Sequence, residues 1–421
     1  MGKKLLLNKA EERIYSLVRI TGDIKMDYKK YFSKVAYEMK PSGIRKYFDI
    51  AATMPDCISL GVGEPNFVTP KVGCDAAIKS ITDGITRYTS NSGLIELRRL
   101  ISKYMETRYS LSYNPDNEIV TTVGVSEAID IAFMALINPG DEVLLPEPCF
   151  VSYAPAVRLV GGVPVTVKCV KENGFILTPE MLEEKITPRT KAILMCYPNN
   201  PTGAIMTKEQ LEAIAPVLIK HDLIVLSDEV YSELTYGGLE HVSIASLPKM
   251  RERTIVFNGF SKGFAMTGWR LGYVCAPKEI TEQVLKIHQY VIMCAPTAAQ
   301  YAAAALLEDG LKNNFSEVLR MREEYDRKRK YLYPALLDMG LECFEPKGAF
   351  YMFPGVESTG LDGETFVERL IHEHKVCCPA GVAFGDAGYY HIRISYAYAM
   401  EQVVKGTERI AKFVNQLKKA K

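Results

Sequence analysis

The 421-residue chain has almost no surplus of charge: 51 Lys and Arg stand against 50 Asp and Glu, a net of +1. That balance gives no reason to expect nucleic acid or an anionic membrane surface as a partner. No apolar run approaches the ~20 residues that span a bilayer. Met1-Gly2-Lys3-Lys4-Leu5-Leu6-Leu7 starts like a secretion signal, but the apolar stretch stops too soon. Leu6 also stands where a myristoylation pattern needs Ser or Thr. The ten cysteines contain no Cys-x-x-Cys. Scattered, and often inside apolar runs such as Leu194-Met195-Cys196, they read as reduced thiols of a cytoplasmic protein. His-Glu-x-x-His is absent; His372-Glu373-His374 reads as a solvated helix end, and no metal is expected. Gly61-Val62-Gly63 is half of a dinucleotide fingerprint, but the third glycine is missing and Pro65 stops a helix, which excludes a Rossmann site. Two glycines there mean backbone running close to a ligand or a neighbouring chain. There is no internal repeat and no low-complexity tract.

What is present is ordinary globular composition, 48% hydrophobic and 24% charged, in a chain long enough for two or three domains. Near-continuous apolar strands at 118–123, 141–145, 191–196, 222–227, 254–257 and 271–276 alternate with helices. This is the pattern of an α/β fold with a mostly parallel sheet flanked by helices. Residues 281–333 read as helical. Strand-like 349–353 and 391–396 and an amphipathic C-terminal helix then make a smaller α+β domain. The expected boundaries are an extension over 1–30, an N-terminal segment joining the small domain over 31–69, a large domain over 70–312 and the small domain over 313–421. Met26 reads as a possible internal start, which would make the preceding stretch dispensable.

The centre of the chain is Asn258-Gly259-Phe260-Ser261-Lys262. Thr254–Phe257 is a buried strand, Gly259 is expected to break it, and Lys262 falls in the loop beyond its carboxyl end, where open α/β sheets hold ligands. A lysine there is a candidate Schiff-base nucleophile, once desolvation or a nearby cation such as Arg270 makes its amine neutral. Standing alone, a Ser-Lys pair reads as a solvated loop.

Other strand ends carry related chemistry. Gly124-Val125-Ser126 turns from a strand into a helix, the way a phosphate is held, although Ser126 also reads as an ordinary N-cap. Phe150, past Pro146-Glu147-Pro148, is placed to stack on a flat ligand or to fill core. Pro198 and Pro201 fix a loop around Asn200. Asp228 stands at a strand end, where a buried carboxylate needs a cation, and Tyr231 follows it. Pyridoxal 5′-phosphate needs such a set: an amine for its aldehyde, a carboxylate for its ring nitrogen, donors for its ring oxygen, and a helix start with an arginine for its phosphate.

Gly61-Val62-Gly63-Glu64-Pro65, Tyr197-Pro198-Asn199-Asn200-Pro201-Thr202-Gly203, Ser227-Asp228-Glu229-Val230-Tyr231, Ser261-Lys262 with Met266-Thr267-Gly268-Trp269-Arg270, and Arg393-Ile394-Ser395-Tyr396 follow one another in order. From about residue 40 onward the sequence resembles the class I/II, fold-type I pyridoxal-phosphate aminotransferases. The resemblance implies that Lys262 carries the cofactor and shuttles the proton, while Asp228 pairs with the ring nitrogen. Asn200 and Tyr231 hold the ring oxygen, and Phe150 stacks on the ring. Val125, Ser126 and Arg270 hold the phosphate, with Ser261 beside the lysine. Arg393 takes the substrate α-carboxylate, near the backbone of Gly63 and beside Asn200. Tyr88 resembles the tyrosine that reaches the phosphate of the partner subunit, implying a homodimer. One departure is Gly259, where many relatives carry a phosphate-binding Ser; it removes a hydroxyl from the phosphate cup and leaves a backbone N–H as the group that could serve there.

The implied reaction is ping-pong transfer of an amino group from an L-amino acid (aromatic, aspartate or related) to a 2-oxo acid such as 2-oxoglutarate. The resemblance is to the branch holding aspartate, aromatic and N-acetyl-diaminopimelate aminotransferases. No second arginine for a side-chain carboxylate is identifiable, and abundant Tyr and Phe lean towards aromatic donors. The same scaffold also suits a C–S β-lyase acting on cystathionine-type substrates. A non-enzymatic regulator would need a DNA-binding region that the short stretch before Met26 is too small to form.

Overall fold

The computed structural model describes residues 26–419, so the possible start at Met26 has its preceding stretch outside the described residues. The chain divides into two compact units, 1–40 and 41–421. In the first, a short turn of helix at Tyr28–Tyr31 precedes the helix Lys34–Glu38, whose Ser33 hydroxyl accepts from Ala36 N at 3.3 Å.

The second unit begins with the helix Arg45–Ala52 and carries the described strands. In chain order these are β1 Ile58–Ser59, β2 Ile119–Thr122, β3 Glu142–Glu147, β4 Val163–Lys168, β5 Thr190–Cys196 and β6 Ile224–Asp228. They continue as β7 Thr254–Gly259, β8 Gly272–Cys275, β9 Tyr351–Met352, β10 Val376–Cys377 and β11 Ile394–Ser395. Seven form one sheet in the order β2-β8-β7-β6-β5-β3-β4. All neighbours in it are parallel except those of β8, which runs against both β2 and β7. The sheet is therefore mostly parallel, as the apolar runs imply, with one reversed strand that periodicity does not reveal. Strands β2, β7 and β8 are buried along their whole length, because helices cover both faces. The one sheet strand without a sequence expectation, β4, is the exposed edge and tolerates Pro164 for that reason.

Away from this sheet, β1 pairs parallel with β10 and β9 pairs antiparallel with β11. The helices Ser316–Asp338, Gly363–His374 and Met400–Lys419 pack around them on a core that includes Phe350, Phe366, Ile410 and Phe413. The strand-like runs 349–353 and 391–396 shrink to two paired residues each; their neighbours meet other segments in isolated bridges, such as His391 with Gly355 and Ile392 with Ala380, which do not extend into a ladder.

Two local expectations need correction. Gly259 does not break β7; it pairs with Gly272 of β8. A Cβ on Gly259 would lie 2.9 Å from Gly272 Cα and 3.0 Å from Leu271 O, so glycine lets the strands close. Ser126 is not an N-cap: the helix Gly124–Leu136 starts two residues earlier, and the Glu127 carboxylate accepts from Val123 N at its head. An acid in the first turn does the capping that the serine hydroxyl was expected to do. All ten cysteines are unpaired, and no described helix is long and apolar enough to cross a membrane.

Candidate active site

The carboxyl ends of β5, β6 and β7 deliver the central groups. Asp228 is the last residue of β6 and lies level with Cys196, the last of β5. Its carboxylate is buried and takes two donors: Tyr153 O–H to Oδ2 at 2.6 Å and Val230 N–H to Oδ1 at 3.2 Å. Burial outweighs these hydrogen bonds and pushes its pKa up to about 6. Behind it, the buried Glu229 carboxylate is occupied by Ser227, Ser243 and His241, at 2.8, 2.6 and 2.9 Å.

Lys262 leaves the turn after β7 and donates from Nζ to Gly63 O at 2.6 Å. The amine lies 5.8 Å from the Tyr231 ring centre and 5.9 Å from that of Phe350. Burial pulls its pKa down to about 8; Glu64 opposes this, and Arg393 and then Arg270 assist. Desolvation thus dominates, and Arg393 outweighs Arg270, the cation that the sequence brings to notice. Glu64 is tied to the lysine loop by a hydrogen bond from Thr267.

Arg393 is buried between the Tyr351 and Phe384 rings, 4.5 and 4.7 Å from their centres. Its Nη1 donates to Asn200 Oδ1 at 2.8 Å, its Nη2 to Gly61 O, and its buried Nε has no partner. Engaging Asn200 through Oδ1 leaves the amide Nδ2 as a donor. That loop is held by Asn199, whose Nδ2 donates to Pro148 O and Cys196 O and whose Oδ1 accepts from Thr202. Both of its X-Pro bonds, Tyr197-Pro198 and Asn200-Pro201, are cis. Tyr231 and Tyr351 share a hydroxyl hydrogen bond of 2.8 Å. A Cβ on Gly63 would fall on that Tyr351 hydroxyl, so this glycine allows a close approach of backbone to side chain.

At the other end, Val125 and Ser126 lie in the first turn of their helix, where N–H groups have no intrahelical partner. Arg270 packs against the same turn: a Cβ on Gly124 would be 2.5 Å from its Nη2. The φ of 55° at Arg270 and its Nη1 bond to Thr267 O, 3.0 Å, aim it there. Gly259 N–H is not left over for an anion, because it donates to its own neighbour, Asn258 Oδ1, at 2.7 Å. Phe150 is partly buried and meets Tyr153 edge-on at 5.7 Å. Ser261 is buried beside Lys262. Tyr88 is 79% exposed and joins none of these contacts within the chain.

Tyr153, Tyr351 and Phe384 have no site role in the sequence reading, and Gly124 enters it only as part of the turn before Ser126. Tyrosine is common here, 24 residues, so only the fold can say which one reaches Asp228. Gly124 alone carries a signal, as the glycine at a strand-to-helix turn; its φ is 73°.

Residues 55–410 match the family model for class I and II aminotransferases. The chain belongs to that family. An aspartate aminotransferase of Pyrococcus abyssi is 46% identical, over 90% of this chain and 97% of the relative. Aromatic-amino-acid aminotransferase 2 of Thermococcus litoralis is 44% identical, over 90% and 97% respectively. Among solved structures, an aromatic aminotransferase from Pyrococcus horikoshii superposes with a TM-score of 0.84 at 44% identity, covering 88% of this chain and 99% of that one. This aminotransferase is therefore an amino-group-transferring enzyme of fold type I, and its relatives give no support to a C–S lyase.

Proposed function

We propose that this aminotransferase uses pyridoxal 5′-phosphate, held by Lys262 and Asp228, to move the amino group of an aromatic or acidic L-amino acid to a 2-oxo acid such as 2-oxoglutarate. The observation that carries the reading is a half-buried amine poised near neutrality, Lys262, in one cluster with a buried carboxylate, Asp228. The lining fits the group: a buried carboxylate with lone pairs to spare for a ring nitrogen, and a helix start with an arginine over it for a phosphate, while the unpartnered Nε–H of Arg393 is left for the substrate. Bound there, the cofactor supplies an aldehyde and an electron-accepting ring.

The residues divide the remaining work. Lys262, neutral in part at physiological pH, would hold the cofactor through its aldehyde and, when free, would serve as the base that takes the proton from the substrate Cα and delivers it away from that carbon. Asp228 holds the proton on the ring nitrogen. Asn200 Nδ2 and Tyr231 O–H donate to the ring oxygen, and Phe150 covers one ring face. Val125 N–H, the Ser126 N–H and hydroxyl, and Arg270 take the phosphate, with Ser261 beside them. Arg393, kept planar between two rings, exchanges its bond to Gly61 O for the α-carboxylate, near Gly63.

A homodimer follows from the same reading, with Tyr88 reaching the partner's phosphate site. Tyr88 and Tyr290 (79% and 87% exposed) support it, since Asn91 to Met293 O and Thr297 to Arg87 O tie the Tyr88 loop to the segment after the helix that ends beside Tyr290, where Val291, Ile292 and Met293 are also exposed. Residues 31–69 and 313–421 are proposed as the smaller domain and 70–312 as the larger, with 1–30 an extension, in a cytoplasmic enzyme. The chain is tested by borohydride reduction of the cofactor-loaded protein and peptide mapping. The label is expected on Lys262; label on another lysine, or none, would refute the assignment. Incubation with single amino acids and no keto acid is expected to yield one equivalent of 2-oxo acid, and identifies the donor. Continuous pyruvate and ammonia release would count against transfer.

A further inference from the structure

We infer that Tyr153 is a positioning residue for amino transfer, acting through Asp228: its hydroxyl keeps that carboxylate ionised and aimed, so that the proton they share stays on the cofactor's ring nitrogen. The inference rests on the cofactor assignment proposed above. Tyr153 is fully buried at the start of the helix Tyr153–Leu159, and its O–H donates to Asp228 Oδ2 at 2.6 Å across the end of the sheet. Burial beside Asp228 holds the phenol far above its usual pKa, so it stays a donor and never competes as an acid. The other groups facing Asp228 cannot replace it. Cys196, level with Asp228 on β5, is a buried thiol pushed up beyond the range in which it would ionise. The Glu229 carboxylate is taken by Ser227, Ser243 and His241. Lys262, flanked by Glu64, Arg270 and Arg393, is committed to Gly63 O. Val230 N–H serves the other carboxylate oxygen.

The consequence is electrostatic. A carboxylate buried this deeply leans towards protonation. If it took the proton from the ring nitrogen, the ring would lose its pull on electrons. Each hydrogen bond donated to the ionised form opposes that transfer. Tyr153 supplies the shorter of the two.

Tyr153→Phe keeps the ring and its contact with Phe150. Its kcat is expected to fall about ten- to hundredfold while KM changes less than about threefold. Reloading with pyridoxal phosphate methylated on the ring nitrogen, which is cationic at every pH, is expected to restore the variant to within about threefold of wild type carrying the same analogue. An equal loss with both cofactors would mean a packing role and overturn the proposal. The cofactor-free protein gives an independent reading: the ¹³C carboxyl resonance missing from Asp228→Asn is expected to titrate about one pH unit higher in Tyr153→Phe. An unmoved midpoint overturns it. Borohydride labelling separates the two readings: a wild-type protein unlabelled at Lys262 sinks the cofactor assignment, whereas labelled Lys262 with unchanged kcat and midpoint in Tyr153→Phe sinks only this one.

Discussion

Asp228→Asn in the cofactor-free protein puts stability and function in opposition. Asp228 has its pKa raised from 3.8 to about 6 by burial. Two pKa units correspond to about 3 kcal/mol by which the fold, at pH 8, works against this charge. The asparagine keeps an acceptor for Tyr153 but turns an amide towards Val230 N–H, losing about 1 kcal/mol. The net gain is about 2 kcal/mol, which for a chain of this length raises Tm by about 2 °C. The sign follows from protons bound. A raised carboxyl pKa means that the folded state binds more protons than the unfolded one between pH 4 and 6. Wild-type stability therefore improves as pH falls through that window, and the advantage of Asn should vanish near pH 4. Attraction between Asp228 and Lys262 ranks below the other influences on the lysine and does not reverse the sign. Thermal melts of both cofactor-free proteins from pH 4 to 8 check this, with kcat of the loaded variant expected to collapse. A lower Tm for Asn at pH 8, or the same difference at every pH, would refute the reasoning.

Arg393→Lys keeps the charge but loses the planar fork between Tyr351 and Phe384, so KM for amino acids should rise about a hundredfold with cofactor affinity little changed; steady-state kinetics and equilibrium dialysis check it. Gly124→Ala puts a Cβ 2.5 Å from Arg270 Nη2 at a φ of 73°, and cofactor affinity should drop about tenfold, read by absorbance titration. Capture of the cofactor aldehyde by the cofactor-free protein should quicken as pH rises, with a midpoint near 8, because only the neutral Lys262 amine attacks; stopped-flow absorbance measures it.

Much of this protein is written locally. Apolar runs mark every central strand of the sheet, because a strand covered on both faces has no polar side to alternate with. Lys262, Asp228 and Asn200 stand out because a reactive, charged or rigidly held polar group at a strand end has few structural reasons to be there, whereas Arg393 lies inside a strand-like run and is marked by its family motif. Family motifs in order then named the chemistry. Local sequence misjudged the starts and stops where a neighbour decides. Gly259 continues β7 only because Gly272 lies against it, and Ser126 loses the cap to Glu127.

Tertiary structure alone decided how each group behaves. Lys262 is brought near neutrality chiefly by burial, an effect of everything packed round it and of no single neighbour. Nothing marks Tyr153 among 24 tyrosines; it reaches Asp228, 75 positions away, because β3 and β6 flank β5 in one sheet and end together. The stacking of Arg393 between Tyr351 and Phe384 likewise joins segments that meet only after folding. Sequence sets which functional groups are available and at which strand ends they emerge. Distance, burial and the supply of hydrogen-bond partners, which set a group's charge and aim, depend on non-local packing and exist only in the folded chain.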